Sequence, residues 1–222
     1  MKLLPQPLAG VFFDLDGTLV DSARDMHDAL TALCDERHKV APAFDIVRET
    51  VSRGARAVLR CAFGDGDEAA VDAALPRFLE LYVATGMRNT RLFPGVPRLL
   101  ENLETRGVRW GVVSNKAGDL VALVLAALAL ERRVAAVVGG DTLPQRKPDP
   151  APVLHACALA GVEPAQSVFV GDDPRDIVAG RAAGLYTIAA GWGYLDGADP
   201  RTWRPDAIAI DADQLAGWLD RA

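Results

Sequence analysis

Apolar and polar positions follow three different rhythms along the chain. Residues 8–15 form a short apolar run ending in the acidic, glycine-containing turn Asp14-Leu15-Asp16-Gly17, which predicts a buried strand. Helical stretches are then expected at 21–39, 44–63 and 68–85, the last two parted by the polar loop Gly64-Asp65-Gly66-Asp67. No convincing strand falls between Val20 and Arg88, so 20–88 reads as a separate helical unit. Ser22, with Asp25 three residues on, predicts a cap for the first helix. From Phe93 onward strand and helix alternate. Strands are expected at 108–114, 134–140, 167–172, 187–191 and 207–210, and helices at 96–106, 118–130, 150–160, 175–183 and 213–221. That alternation predicts a doubly wound, mostly parallel α/β sheet covered on both faces. The first strand must rejoin it across the helical insertion.

Ligands of open α/β sheets gather at the carboxyl ends of the strands, and four polar clusters fall there. In the first, Asp14 and Asp16 can share one site if the turn at Gly17 swings both to one side, and a divalent cation would stabilise both ionised forms. A solvated acidic turn has the same sequence. In the second, Ser114-Asn115-Lys116, a hydroxyl and free N–H groups ahead of a helix suit a phosphate, and equally suit a helix cap. In the third, Pro148 and Pro150 stiffen the loop carrying Lys147, a compact cation able to neutralise phosphate, with Asp149 at an expected N-cap. In the fourth, Asp172 offers hard oxygen to magnesium, Asp176 can support it from one helical turn on, and Asp173 reads as a helix cap ahead of Pro174.

Composition narrows the partners. The 222 residues are 50 % hydrophobic and 24 % charged, enough for a core and a smaller inserted unit. A formal net charge of -6 argues against general affinity for nucleic acid or anionic membrane. An anionic substrate must therefore meet local cations or a metal. The longest apolar run, 120–130, falls short of the ~20 residues that cross a bilayer. Pro5 and Pro7 break the apolar run at the start, so no signal peptide is expected. Cys34, Cys61 and Cys157 lack metal-type spacing and read as small buried hydrophobes of a reducing cytoplasm. A cytoplasmic monomer or homodimer acting on a small molecule is expected.

The four clusters in this order resemble the haloacid dehalogenase superfamily of phosphohydrolases. The likeness runs through Asp14-Leu15-Asp16-Gly17-Thr18, Ser114-Asn115-Lys116, Lys147, and Gly171-Asp172 with Asp176. It implies a Rossmann-like core of residues 1–19 and 89–222, with 20–88 as a helical cap inserted after the first strand. It implies Asp14 as nucleophile, forming an aspartyl phosphate, and Asp16 as general acid and base. Ser114, Asn115 and Lys147 would bind phosphate. Mg2+ would sit on Asp14, Asp172 and the backbone carbonyl of Asp16, with Thr18 and Asp176 behind. Dehalogenase members need no aspartate like Asp16 and no metal, so its presence points to phosphate chemistry.

Within the superfamily the chain is similar to bacterial phosphoglycolate phosphatases, through 14–22, Leu92-Phe93-Pro94-Gly95-Val96, 111–116 and Gly139-Gly140-Asp141. It is also similar to the N-acetylmuramic acid 6-phosphate phosphatases, through Gly54-Ala55-Arg56-Ala57, 171–177 and the turn at Gly193-Tyr194. Asp173 stands where serine is more usual, which leaves the substrate open. Arg53, Arg56 and Arg60 follow helical spacing and can share a face; with Gly54 allowing close approach, Arg53 or Arg56 can meet a substrate carboxylate. A solvated basic face is the competing reading, and His27 is read as surface. A sugar phosphomutase using the same motifs and a non-catalytic binding module of this fold are the remaining alternatives.

Overall fold

The computed structural model describes residues 3–222. Its centre is a six-stranded sheet made of β1 (Gly10–Phe13), β4 (Arg109–Val113), β5 (Ala136–Val138), β6 (Ser167–Gly171), β7 (Tyr186–Ala190) and β8 (Ala207–Ala209). The strands lie in the order β5-β4-β1-β6-β7-β8, and every pairing is parallel. Successive side chains of a strand face opposite sides. Val11, Phe13, Val112, Val168 and Val170 accordingly pack on one face, with apolar residues of α5 (Val96–Thr105), α6 (Gly118–Ala127) and α9 (Ala212–Leu219). Phe12, Val113 and Phe169 pack on the other, against α7 (Ala151–Ala160) and α8 (Pro174–Ala182). Burial on both faces explains the near-continuous apolar runs. Cys34 and Cys157 are buried, Cys61 is half-buried and all three are free thiols. Among the described residues no helix is long and apolar enough to cross a membrane.

Four helices fill the insertion: α1 (Ala23–Glu36), α2 (Phe44–Thr50), α3 (Ala55–Phe63) and α4 (Glu68–Ala84). They pack on one another through residues such as Leu30, Leu33, Val58, Leu59, Val71 and Phe78. Two expectations change here. The stretch 44–63 is two helices joined by a 3-10 turn, Val51–Arg53, and broken at Gly54. Gly54 has φ 87° and ψ 175°, a region open essentially to glycine alone. Arg53 therefore leaves the helical register of Arg56 and Arg60, and the three do not share a helix face. A two-stranded antiparallel ribbon, β2 (Val20–Asp21) with β3 (Arg91–Leu92), also closes the insertion where no strand was expected. Strands of two residues are too short to give a periodic signal.

The start of α1 differs as well. The Ser22 side chain makes no cap. The Tyr194 hydroxyl accepts from the backbone N–H groups of Ser22 at 2.9 Å and Ala23 at 3.1 Å, and donates to Asp21. Asp25 is buried, and its carboxylate accepts from Asn89 and from both the N–H and the hydroxyl of Thr90. It pins the returning chain to α1.

Candidate active site

From β1 the chain builds outward through β4 and β5, then returns to the other side of β1 with β6. The strand order reverses at β1, the place where such sheets open a crevice. Asp14, Ser114 and Asp172 each directly follow one of the three strands that meet there. After β1 the chain folds back on itself, with Leu15 O accepting from the N–H groups of Leu19 and Val20, both at 3.0 Å. Gly17 sits in this turn at φ 84°, and a Cβ there would collide with the Asp172 carboxylate.

Lys147 is the cation that bridges Asp14 and Asp176. Its ammonium donates to Asp14 Oδ1, Asp176 Oδ1 and the Val113 carbonyl, each at 2.7 Å, which uses all three of its protons. Burial alone would lower its pKa, but Asp14 and Asp176 outweigh that and raise it above the ordinary lysine value. Asn115 clamps the lysine's backbone, donating to Lys147 O at 2.9 Å and accepting from Lys147 N at 3.0 Å. Its amide thus acts on the lysine loop. Ser114 is buried, lines the adjoining cavity and accepts from Lys116 N.

Asp172 is held from three sides. Thr18 Oγ1 donates to Oδ1 at 3.0 Å, while Ser52 Oγ at 2.6 Å and Tyr194 N at 2.9 Å donate to Oδ2. Asp176 uses Oδ1 on Lys147 and Oδ2 on Asp173 N. Asp173 caps α8 as expected, forming a reciprocal capping box with Asp176. Asp149 accepts from Ala151 N, the first residue of α7.

Asp14, Asp172 and Asp176 are buried and offer oxygens within 4.8 Å of one another. Burial first, and then Asp14 and Asp176, push the Asp172 carboxyl well above the usual range. Burial likewise lifts Asp176 to about 7, with Lys147 pulling the other way. One ammonium among three buried carboxylates leaves negative charge in excess. Hard oxygen donors in that setting suit a divalent cation.

A cavity of about 500 Å3 opens above the carboxylates. Its far wall, from the helical unit and α6, is largely apolar and includes Met26, Val51, Leu75, Phe78, Leu79 and Leu120. Arg53, Gly54 and Arg56 line it too, but Arg53 pairs with Asp196 and Arg56 with Asp72, all partly exposed. Arg60 pairs with Glu68. His27 is half-buried, bonded through Nε2 to Pro42 O.

Sequence patterns missed several groups at this site. Lys116 lay inside a recognised cluster, yet nothing local showed that its ammonium spans both oxygens of Asp16 at 3.0 and 3.1 Å. Tyr82, Ser52 and Tyr194 arrive from distant segments, and Arg175, inside the fourth cluster, reaches across to the helical unit. Arg175 donates to Ser52 O at 2.8 Å while paired with Asp173.

A family model of haloacid dehalogenase-like hydrolases matches residues 11–190, and the chain belongs to that family. It is 45 % identical over 212 residues to a phosphoglycolate phosphatase of Xanthomonas campestris pv. campestris, across 94 % of this chain and 96 % of the relative. It is 38 % identical over 218 residues to an N-acetylmuramic acid 6-phosphate phosphatase of Pseudomonas aeruginosa, across 97 % and 96 %. A solved structure, a predicted phosphoglycolate phosphatase from Haemophilus somnus, matches with TM-score 0.83 at 29 % identity, over 94 % of this chain and 96 % of that one.

Proposed function

We propose that the protein is a magnesium-dependent phosphatase that hydrolyses a small phosphate monoester through an aspartyl phosphate on Asp14. The observation that carries this reading is the buried Lys147 ammonium bridging Asp14 and Asp176 at 2.7 Å each, beside Asp172. An Asp14 oxygen attacks phosphorus, and the bond from phosphorus to the leaving oxygen breaks. Asp16 gives that oxygen its proton. In the second half Asp16 takes a proton from water, whose oxygen bonds to phosphorus as the bond to Asp14 breaks. Alcohol and inorganic phosphate are the products. Lys147, whose proton on Asp14 is freed as that carboxylate attacks, and Ser114 would hold the phosphoryl group, and Asn115 fixes the Lys147 loop. Mg2+ on Asp14, Asp172 and the Asp16 carbonyl, backed by Thr18 and Asp176, would neutralise charge on the phosphoryl oxygens. The unit 20–88 serves as the cap, and the free thiols accord with a cytoplasmic setting.

The leading substrate is 2-phosphoglycolate, named for the relative at 45 % identity. Arg53 or Arg56 would exchange its exposed acidic partner for the substrate carboxylate, since such pairs are weak. A second reading, N-acetylmuramic acid 6-phosphate, is favoured by the cavity. Its volume of about 500 Å3 and apolar wall suit a ligand far larger than a two-carbon acid. Side-by-side kinetics on the two esters with Mg2+ tests both. A kcat/KM higher for 2-phosphoglycolate supports the first and the reverse order the second, while absence of metal-dependent phosphate release from either ester and from p-nitrophenyl phosphate would sink the phosphatase reading.

A further inference from the structure

The carboxylate of Asp16 is gripped by groups that the proposed reaction does not itself use. Lys116 leaves the loop after β4 with its side chain only 6 % exposed. Its Nζ reaches Asp16 Oδ1 at 3.0 Å, Oδ2 at 3.1 Å and the Tyr82 hydroxyl at 2.9 Å. Tyr82 lies near the end of α4 in the cap, wholly buried, and the ammonium also sits 4.6 Å from its ring centroid. Ser22 Oγ, from the first residues of the inserted unit, donates to Asp16 Oδ1 as well. The phenol is the one partner of Lys116 that the cap supplies. Without it a buried ammonium would keep a proton with no acceptor, and its hold on Asp16 would loosen.

We propose that Tyr82 and Lys116 are positioning residues through which the seated cap aligns the Asp16 carboxylate for the hydrolysis of the aspartyl phosphate. This rests on the phosphatase reading and on Asp16 as its proton carrier. The geometry fits the second half of the cycle, in which Asp16 is a carboxylate that must face the attacking water. An ammonium across both oxygens fixes the carboxylate plane, and the cap hydroxyl fixes the ammonium. Hydrolysis of the intermediate is thereby tied to a closed cap, and phosphorylation of Asp14 by an ester whose leaving group departs without a proton is not.

The test uses the full-length protein with Mg2+ and p-nitrophenyl phosphate, whose leaving group needs no proton. Acid quenching gives the fraction of phosphoenzyme, and turnover divided by that fraction gives its rate of hydrolysis. For Tyr82→Phe, which keeps the ring, hydrolysis is expected to slow about tenfold, phosphoenzyme to accumulate, and the rate of phosphoenzyme formation to stay unchanged. Lys116→Met should behave alike and Lys116→Arg should recover part of the loss. A Tyr82→Phe protein of wild-type melting temperature that slows both steps equally, or neither, overturns the inference. If Tyr82→Phe does not fold, the two Lys116 variants decide by the same criterion. A wild-type protein with no metal-dependent turnover overturns the phosphatase reading and this inference together, whereas normal turnover with unaltered variants overturns the inference alone.

Discussion

Ser52 Oγ donates to Asp172 Oδ2 at 2.6 Å, so a hydroxyl of the inserted helical unit rests on a carboxylate of the sheet. The same oxygen lies 3.4 Å from the carbonyl of Asp16, and Arg175 holds the Ser52 carbonyl at 2.8 Å. The inserted helical unit is thus fastened directly onto two groups proposed to hold the metal.

Ser52→Ala should separate the metal-free protein from the metal-bound one. Without a cation, the hydroxyl helps to stabilise a buried carboxylate. Its loss is expected to cost about 1–2 kcal/mol, after discounting the hydrogen bond to a charged group for the partial exposure of Ser52. With Mg2+ present the cation supplies that stabilisation, and the cost should shrink. Urea denaturation with and without Mg2+ measures the difference, and equal costs would separate Ser52 from the metal site.

The buried carboxylates set a pH dependence of known sign. Burial raises Asp172 well above its ordinary 3.8 and Asp176 to about 7. Between those limits the folded protein binds more protons than the unfolded chain, so these groups make stability fall as pH rises from about 4 to about 7. A cation competes with the same protons, so its stabilising effect grows with pH. Melting curves in EDTA should show a decline across that window that flattens in Asp172→Asn. The gain from Mg2+ should be larger at pH 8 than at pH 5. A gain that is the same at both would contradict the assignment of Asp172 to the metal.

The sheet and the strand-end carboxylates were legible in the sequence because each is marked locally, whereas Lys147, 133 residues from Asp14, was joined to them only through the resemblance. Fully buried strands give apolar runs, and the residue that follows each run lands at the carboxyl edge. The cap contacts were not legible. Ser52 and Asp172 are 120 residues apart, and Lys116 and Tyr82 34 apart, so only packing brings them together. Ser22 was misread for a different reason. Its local pattern is that of a cap, but a distant hydroxyl, Tyr194, takes the N–H groups and leaves Ser22 Oγ to Asp16. The break at Gly54 was hidden because a glycine inside a helical pattern does not announce its φ.

Two glycines allow the chain to close around Asp172. A Cβ on Gly17 would strike the Asp172 carboxylate, and one on Gly193 would strike both the Asp172 side chain and the Gly17 carbonyl. Gly17 also carries φ 84°. Gly17→Ala is expected to lose roughly 2–4 kcal/mol through strain and overpacking together, and Gly193→Ala about 1–3 kcal/mol through overpacking alone. Both should weaken the Mg2+-dependent rise in melting temperature, because the displaced carboxylate is one of the two assigned to the cation. A variant that is destabilised but keeps a full Mg2+ response would show that Asp172 had not moved.

Asp14→Asn removes the nucleophile with little change of shape. Turnover should fall by a factor of about 1,000 or more, with no phosphoenzyme after acid quenching. The melting temperature should change modestly, since Lys147 keeps Asp176 and the Val113 carbonyl as acceptors. Substantial residual turnover with a trapped phosphoenzyme would place the nucleophile elsewhere.

Both candidate esters carry a carboxylate, and the arginines that line the cavity are its candidate partners. Arg53 and Arg56 each face an acid, at Asp196 and Asp72, and Arg175 is paired with Asp173. Arg146, next to Lys147, lines the cavity with no ion pair among the described residues. A substrate carboxylate reaching the cap would have to displace Asp72 to bind Arg56, which is feasible because exposed pairs are worth about 1 kcal/mol or less. Arg56→Ala should therefore raise KM for 2-phosphoglycolate about tenfold and leave kcat nearly unchanged, as loss of uniform binding requires. p-Nitrophenyl phosphate, which has no carboxylate, should be handled as by the wild type. If Arg56→Ala is silent on 2-phosphoglycolate and Arg146→Ala raises its KM instead, the carboxylate is read from the sheet side, next to Lys147. If both are silent on 2-phosphoglycolate, neither arginine reads its carboxylate, and the assignment of Arg56 to the substrate is wrong.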